Sequence, residues 1–223
     1  MSKIWILWDW QLGQLTALEA QNMWHNTIIY WDGWKDSPAW QISKIISADW
    51  YSSSSNNIEL LVTENPDVVS MEWENVPTSL LIELEKNWLC VRPNSWIFHI
   101  IQNRLTEKQA IINAWVNTTS FQAINDLWDL KSVHSELWDW ILKTAKDGYD
   151  GKWQIRIYNE ADMEKAIEEL NWKELIYEKI VDYKMEVSVI IWRRPNWEIV
   201  AFEPAENIHQ DWILKTSITP ARI

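Results

Sequence analysis

Glycine is nearly missing from this chain: 4 residues in 223, namely Gly13, Gly33, Gly148 and Gly151. An ordinary composition of roughly 7% glycine would supply about 16. Cysteine is scarcer still. The single Cys90 excludes any internal disulfide and fits a reducing compartment. No apolar run approaches the roughly 20 residues that cross a bilayer. The first residues, Met1 to Trp10, hold no basic stretch followed by a long apolar core, so no secretory leader is expected. Positive charge is also short, with 20 Lys and Arg against 32 Asp and Glu and a net charge of -12. That balance argues against a general nucleic-acid binder and against docking on an anionic membrane, since both depend on clustered cations.

Tryptophan is what the chain has in excess, at 20 residues. The surplus matches the glycine deficit in size, and many indoles stand where a chain turns. Trp8 and Trp10 flank Asp9 between an apolar strand (Ile4, Ile6, Leu7) and a helix expected over Gln14–Met23. A strand-to-helix turn of this kind is normally glycine-rich, so that backbone can curl tightly and approach a phosphate at the helix N-terminus. Trp153 closes the segment Asp147-Gly-Tyr-Asp-Gly-Lys-Trp153. Trp197 follows Pro195-Asn196 in a hairpin turn, Trp172 follows Asn171 after a helical stretch, and Trp212 follows Asp211. Each is a position that favours φ > 0, which a bulky side chain resists. The reading that fits is that most of these residues are glycine in the working protein, as when a UGA codon read as glycine is translated as tryptophan. Trp73, in Met71-Glu-Trp-Glu-Asn-Val-Pro77, stands where an aromatic is at home. The alternative is a chain that is truly rich in tryptophan.

Short apolar strands alternate with helices through the first 98 residues. Strands are expected at Asn26–Tyr30, Lys44–Ala48, Asp67–Met71 and Leu89–Arg92, and helices at Ile58–Thr63 and Thr78–Lys86, with Pro77 suiting the first turn of the latter. This alternation implies a parallel sheet flanked by helices. A helical stretch over Ser95–Ala114 leads into a second region. There, strands are expected at Ile141–Thr144, Gln154–Tyr158 and Glu174–Lys179, with a helix at Ala161–Leu170 capped by Asn159. Antiparallel strands at Met185–Ile191, Ile199–Glu203 and Trp212–Thr216 follow. The chain stops directly after a strand, and truncation is expected.

The strongest local chemical signal runs from Leu142 to Gln154. Lys143 on a strand precedes a loop with Gly148, Gly151 and a second cation, Lys152. Backbone N–H groups in such a loop can wrap phosphate oxygens while the ammonium groups neutralise them. A surface hairpin with solvated lysines is the equally weighted alternative. Glu178-Lys-Ile-Val181 with Glu186 could offer a strand edge to a base and a carboxylate to ribose hydroxyls, although strands often simply end in solvated charges. His209 stands alone, and His25, His99 and His134 read as structural. No Cys or His spacing suits zinc, and no nucleophile elbow is present.

Taken together these segments resemble the 5-(carboxyamino)imidazole ribonucleotide synthases, ATP-grasp ligases of purine biosynthesis. With glycine restored at 5, 8 and 10, the start reads Ile-Gly-Ile-Leu-Gly-Asp-Gly-Gln-Leu-Gly, similar to that family's opening. Glu72-Trp-Glu-Asn-Val-Pro77, Val91-Arg-Pro, Gln102-Asn-Arg-Leu105, Lys143-Thr, Gly148-Tyr-Asp-Gly-Lys152, Glu178-Lys179, Glu206-Asn-Ile-His209 and Ser217-Ile-Thr-Pro-Ala-Arg222 continue in family order.

The resemblance implies an α/β fold. A Rossmann-like parallel-sheet pre-ATP-grasp domain (residues 1–98) binds substrate, followed by a truncated α+β ATP-grasp domain (99–223). It implies ATP-dependent carboxylation of aminoimidazole ribonucleotide by bicarbonate through carboxyphosphate, with ATP and Mg2+ as cofactors, a cytoplasmic setting and a homodimer. Arg104, Lys143, Gly148, Tyr149, Asp150, Gly151, Lys152, Trp153 and Gln154 would hold the ATP phosphates. Glu178, Lys179, Ile180 and Val181 would meet adenine, Glu186 the ribose, and His209 would line the nucleotide site. Gln11, Leu12, Glu72, Tyr149 and Asp150 would contact the ribonucleotide, and Lys143, Lys152 and Asp150 would act in catalysis. The family's metal ligands would lie beyond residue 223, leaving this chain inactive alone. Asp9 departs from a family glycine, and its charge would repel a substrate phosphate if it pointed inward. Another ATP-grasp ligase, such as the formate-using transformylase of the same pathway, and a non-catalytic nucleotide-binding fragment are the competing readings.

Overall fold

The computed structural model describes residues 1–31, 36–47, 55–136, 140–148, 153–170, 173–211 and 213–223. The chain divides into two compact units, Met1–Asn113 and Ala114–Ile223.

The first unit is built on four parallel strands, β1 (Lys3–Leu7), β2 (Asn26–Trp31), β3 (Lys44–Ser47) and β4 (Val68–Met71), in the order β3-β2-β1-β4. Helices α1 (Gln11–Asn22), α2 (Ser55–Glu64), α3 (Thr78–Lys86), α4 (Ser95–Ile101) and α5 (Arg104–Asn113) complete it, with a short 3-10 turn at Pro38–Gln41. The strand centres are apolar because both faces are covered, as parallel sheets require. Trp5, Leu7, Ile28, Tyr30 and Val69 pack with Leu61, Leu81, Leu84 and Phe98 on one side. Ile6 and Ile29 meet Ala17 and Ala39 on the other.

Three expectations shift here. The strand at Leu89–Arg92 reduces to a single parallel bridge, Val69↔Val91. Pro77 is the N-cap residue of α3 rather than part of its first turn. The helical stretch 95–114 breaks at Gln102–Asn103. Asn103 there accepts the Leu105 N–H at 2.9 Å and starts a new helix, while the Gln102 amide donates to the carbonyls of Glu74 and Val76 at 2.8 and 2.7 Å. Gln102 thereby pins the Glu72–Pro77 segment.

The second unit carries β5 (Phe121–Ile124), α6 (Leu127–Glu136), β6 (Trp140–Thr144), β7 (Gln154–Ile157), α7 (Glu160–Glu169) and β8 (Leu175–Lys179). Its antiparallel sheet runs β5-β8-β6-β7. Trp140, Leu142, Ile157, Leu175 and Tyr177 turn to a core shared with Leu130 of α6 and with Met163 and Ala166 of α7. Asn159 caps α7 as expected, in a reciprocal box with Asp162.

Beyond β8 come β9 (Glu186–Ser188), β10 (Ile191–Arg193), β11 (Ile199–Ala201), β12 (Ala205–Gln210) and β13 (Ile213–Ile218), arranged as a hairpin β10-β11 and a sheet β13-β12-β9. The single strand expected over Met185–Ile191 is therefore two. β5, α6 and β12 were not foreseen.

The backbone bears directly on the surplus indoles. Among the described residues eight that are not glycine have φ > 0, and five of these are tryptophan: Trp8 (102°), Trp24 (66°), Trp88 (65°), Trp115 (61°) and Trp197 (68°). Trp24 and Trp88 each stand one residue past a helix cap. Trp24 N–H bonds to Gln21 O and His25 N–H to Ala20 O; likewise Trp88 bonds to Glu85 and Leu89 to Leu84. Those paired bonds form the Schellman arrangement, whose left-handed residue is usually glycine. Trp197 is the left-handed residue of the Pro195-Asn196-Trp197 hairpin loop, its N–H on Arg194 O. Of the other indoles expected at glycine turns, Trp10 is extended at φ -79° and Trp153 is not left-handed, so the backbone makes no demand for glycine at either, while Trp172 and Trp212 lie outside the described residues.

Candidate functional site

In an open parallel sheet, ligands gather at the carboxyl ends of strands where the strand order reverses. In the first unit that point falls between β1 and β4. The β1–α1 turn (Trp8, Asp9, Trp10) and Glu72, the residue after β4, meet there. Glu72 Oε1 accepts the Leu12 N–H at 3.1 Å, and the amides of Gly13 and Trp10 also face this carboxylate. The first-turn N–H groups that the turn pattern would offer to a phosphate are thus held by an internal anion. Asp9 is 1% exposed, which realises the inward charge that the sequence raised as a difficulty. Gln11 and Leu12 are exposed at the rim.

Burial pushes the Glu72 carboxyl above its ordinary value, the Gly13, Leu12 and Trp10 amides oppose the rise, and the Asp9 charge adds to it. The folded state therefore holds the Glu72 proton more tightly than the unfolded chain does. Stability from this group is present below the unfolded value near 4.5 and is lost as pH rises through the folded one. Glu72→Gln is expected to gain in urea midpoint relative to the parent as pH goes from about 4 to about 7. A parent that instead gains on the variant over that range refutes the assignment.

Two carboxylates at one helix N-terminus make a poor cradle for phosphate and a good one for hydroxyl or amine donors. Sequence reasoning missed the closeness of Gly13 to this pair. A Cβ on Gly13 would lie 2.6 Å from both Glu72 Oε2 and the Trp8 carbonyl oxygen.

The second unit presents a charged face on its antiparallel sheet. Residues opposite one another in register point the same way. Lys143 faces Gln154 and Ile176 across its two neighbours, and Ile141 faces Arg156 and Glu178. Lys143, Gln154, Arg156 and Glu178 therefore share the face turned away from α6 and α7. Lys143 Nζ lies 2.7 Å from Glu178 Oε2, and the Glu178 side chain is 6% exposed. A cavity of about 290 Å³ opens at the strand ends, lined by Trp140, Arg156, Ile157, Tyr158, Ile180 and Asp182. Ile180 belongs to the segment expected to meet adenine; Arg156, Tyr158 and Asp182 stand in no motif that marks them in the sequence.

The remaining anticipated residues are scattered more widely. Lys179 and Val181 flank Ile180, the Lys179 N–H bonding Ser120 O in the sheet. Glu186 on β9 and His209 on β12 come together, with Nδ1 3.3 Å from Oε2. Arg104 opens α5 in the first unit. Gly148 is at the near end of the glycine loop. Trp153, at its far end, accepts the Thr144 N–H through its carbonyl at 3.1 Å and carries the Lys173 ammonium 3.8 Å above its ring. Tyr149, Asp150, Gly151 and Lys152 lie outside the described residues. Among the described residues no group of three or more His, Cys, Asp or Glu side chains could hold a metal ion. No described helix is long and apolar enough to cross a membrane.

The chain is 37% identical over 221 residues to the N5-carboxyaminoimidazole ribonucleotide synthase of Bacillus subtilis (strain 168), covering 99% of this chain and 57% of that protein. A solved N5-carboxyaminoimidazole ribonucleotide synthetase in complex with ADP superposes with a TM-score of 0.90 at 37% identity, over 100% of this chain and 58% of its own. The carboxyaminoimidazole ribonucleotide synthase of Aspergillus clavatus complexed with ATP gives a TM-score of 0.87 at 25% identity, over 99% and 58%. The chain thus spans a little under three fifths of the length of these relatives. The family model for the ribonucleotide synthetase pre-ATP-grasp domain matches residues 1–102, and that for the ATP-grasp domain matches residues 109–223. With its sheet order, its charged strand face and a match over half its length, the chain belongs to the ATP-grasp family, its ATP-grasp domain following a ribonucleotide synthetase pre-ATP-grasp domain.

Proposed function

We propose that the protein carrying this chain makes 5-(carboxyamino)imidazole ribonucleotide from aminoimidazole ribonucleotide, bicarbonate and ATP. The observation that carries the reading is 37% identity to a synthase of that name across 99% of the chain. Bicarbonate oxygen attacks the γ-phosphorus of ATP, releasing ADP and giving carboxyphosphate. The ribonucleotide amine then attacks the carboxyl carbon, phosphate leaves, and a proton is lost to give the carbamate. Such chemistry needs mainly positioning and charge neutralisation.

In this reading Lys143, Arg104 and the loop Gly148 to Gln154 hold the ATP phosphates, and Lys143, Lys152 and Asp150 take the catalytic roles that the family resemblance implies. Glu178 to Val181 meet adenine, Glu186 meets the ribose and His209 lines the nucleotide site. Substrate binding belongs to residues 1–98, where Glu72 accepts donors from the ribonucleotide beside Gln11 and Leu12, with Tyr149 and Asp150 assigned to the same substrate by the resemblance. Magnesium, a homodimer and a cytoplasmic setting complete the proposal and rest on the family resemblance.

The test is the dependence of ATP consumption on both co-substrates in the full-length protein. ADP release is expected only when aminoimidazole ribonucleotide and bicarbonate are both present. ATP turnover indifferent to the ribonucleotide rejects the reading.

A further inference from the structure

Glu178 is assigned above to adenine, yet one of its carboxylate oxygens, Oε2, is held by the Lys143 ammonium. Glu178 and Lys143 stand diagonally across the β6–β8 pair, Glu178 opposite Ile141 and Lys143 opposite Ile176. Their charged ends meet at 2.7 Å. The Glu178 side chain is 6% exposed and that of Lys143 is 22% exposed, so the pair is largely withdrawn from solvent. A carboxylate in such a place is costly without a cation beside it. The lysine gains as well: its four-carbon stem is flexible, and the buried anchor removes much of that freedom before any ligand arrives. Lys143 is the last residue but one of β6, immediately before the chain enters the connection to β7.

We infer that Glu178 is a positioning residue that acts through Lys143, holding the ammonium over the nucleotide-facing side of the sheet so that it meets phosphate already oriented. This rests on the ATP reading above and changes what Glu178 does within it. A residue reading adenine contributes equally to every adenine-containing ligand. A residue that positions Lys143 contributes only where there are phosphates for Lys143 to bind, and contributes nothing once Lys143 is gone.

The experiment measures dissociation constants for ATP and for adenosine by calorimetric competition. The proteins are the full-length parent, Glu178→Gln, Lys143→Met and the double variant. Glu178→Gln is expected to weaken ATP about tenfold, the scale of a charge-assisted contact, and to leave adenosine within about twofold. In the Lys143→Met background it should change ATP affinity by less than about twofold, the signature of two residues acting as one unit. Equal weakening of adenosine and ATP, or an undiminished effect in the Lys143→Met background, overturns the inference.

If Glu178→Gln does not fold, Lys143→Arg carries the test instead. Glu178 can hold a guanidinium, so Arg at 143 should keep ATP affinity within about threefold while Met loses about tenfold or more. Arg as damaging as Met overturns the proposal. A parent protein that binds no ATP refutes the nucleotide reading itself, an outcome distinct from a parent that binds ATP with no coupling between Lys143 and Glu178.

Discussion

Replacing Trp8, Trp24, Trp88, Trp115 and Trp197 together by glycine is expected to stabilise the protein by roughly 5 kcal/mol, about 1 kcal/mol at each site. For a chain of this size that corresponds to a rise of roughly 10–20 °C in unfolding midpoint. The argument is steric and local. A left-handed backbone brings Cβ against the following carbonyl oxygen, a penalty glycine escapes. The side chains recover little in return at two of the sites, since Trp88 and Trp115 are 94% and 96% exposed. Trp8 is the extreme case at φ 102°, and its ring centroid lies 4.5 Å from that of Trp73. Trp73→Gly is the control. Its ring packs against the first unit's core, and its backbone is not left-handed, so that substitution should destabilise. Trp5 behaves like Trp73. It is buried, stacked on Tyr30 at 6.0 Å and without positive φ, so the backbone makes no demand for glycine there even though the motif comparison restores one. Thermal melts of the fivefold variant measure the effect, and a midpoint equal to or below that of the parent rejects it. The gene supplies a second check, because UGG codons at all five positions would end the idea that glycine is the encoded residue.

The same contrast between local and non-local information decides what the sequence disclosed. Ile4, Ile6, Ile28 and Ile29 announce strands buried on both faces, and the strand–helix alternation implies the parallel sheet that β1 to β4 form. Helix α3 is read to its ends because Pro77 and the Asn87-Trp88 pair punctuate it. In contrast, β5 (Phe-Gln-Ala-Ile) and β12 (Ala-Glu-Asn-Ile-His-Gln) are short and partly polar, and only their partners β8, β9 and β13 make them strands. The break between α4 and α5 rests on Asn103 and on a Gln102 amide reaching back to residues 74 and 76, a contact no periodicity predicts.

Lys143, Glu178 and Ile180 stand in motifs that the sequence shows, whereas the face that Lys143 and Glu178 share and the cavity that Ile180 lines are not legible there. Arg156 joins that face through strand register, and Asp182 meets the cavity from the chain beyond β8. Asp9 was visible as a misplaced charge. Its burial, and the capture of the α1 amides by Glu72, become evident only when β1 and β4 are set side by side.

That juxtaposition leaves no room for a side-chain atom on Gly13. Gly13→Ala adds one methyl group on a helix, where alanine is ordinarily favoured over glycine by about 1 kcal/mol. Here the opposite is expected. The new Cβ falls 2.6 Å from the Trp8 carbonyl oxygen and 3.4 Å from its carbon, atoms fixed by the end of β1, where the Trp8 N–H bonds Tyr30 O at 3.2 Å. It also falls 2.6 Å from Glu72 Oε2. The carboxylate can swing away, but only by surrendering the Leu12 N–H that it holds at 3.1 Å. Overpacking against fixed backbone and the loss of a charge-assisted hydrogen bond should together cost roughly 3 kcal/mol, outweighing the helix propensity gained. Because both displaced groups line the point between β1 and β4, ribonucleotide affinity should fall with stability, by about tenfold or more. Urea denaturation and calorimetric titration of the full-length Gly13→Ala variant with aminoimidazole ribonucleotide measure the two effects. An alanine variant as stable as the parent would show that the β1–α1 turn yields to the methyl group. A stable variant with unaltered ribonucleotide affinity would move the substrate away from Glu72 altogether.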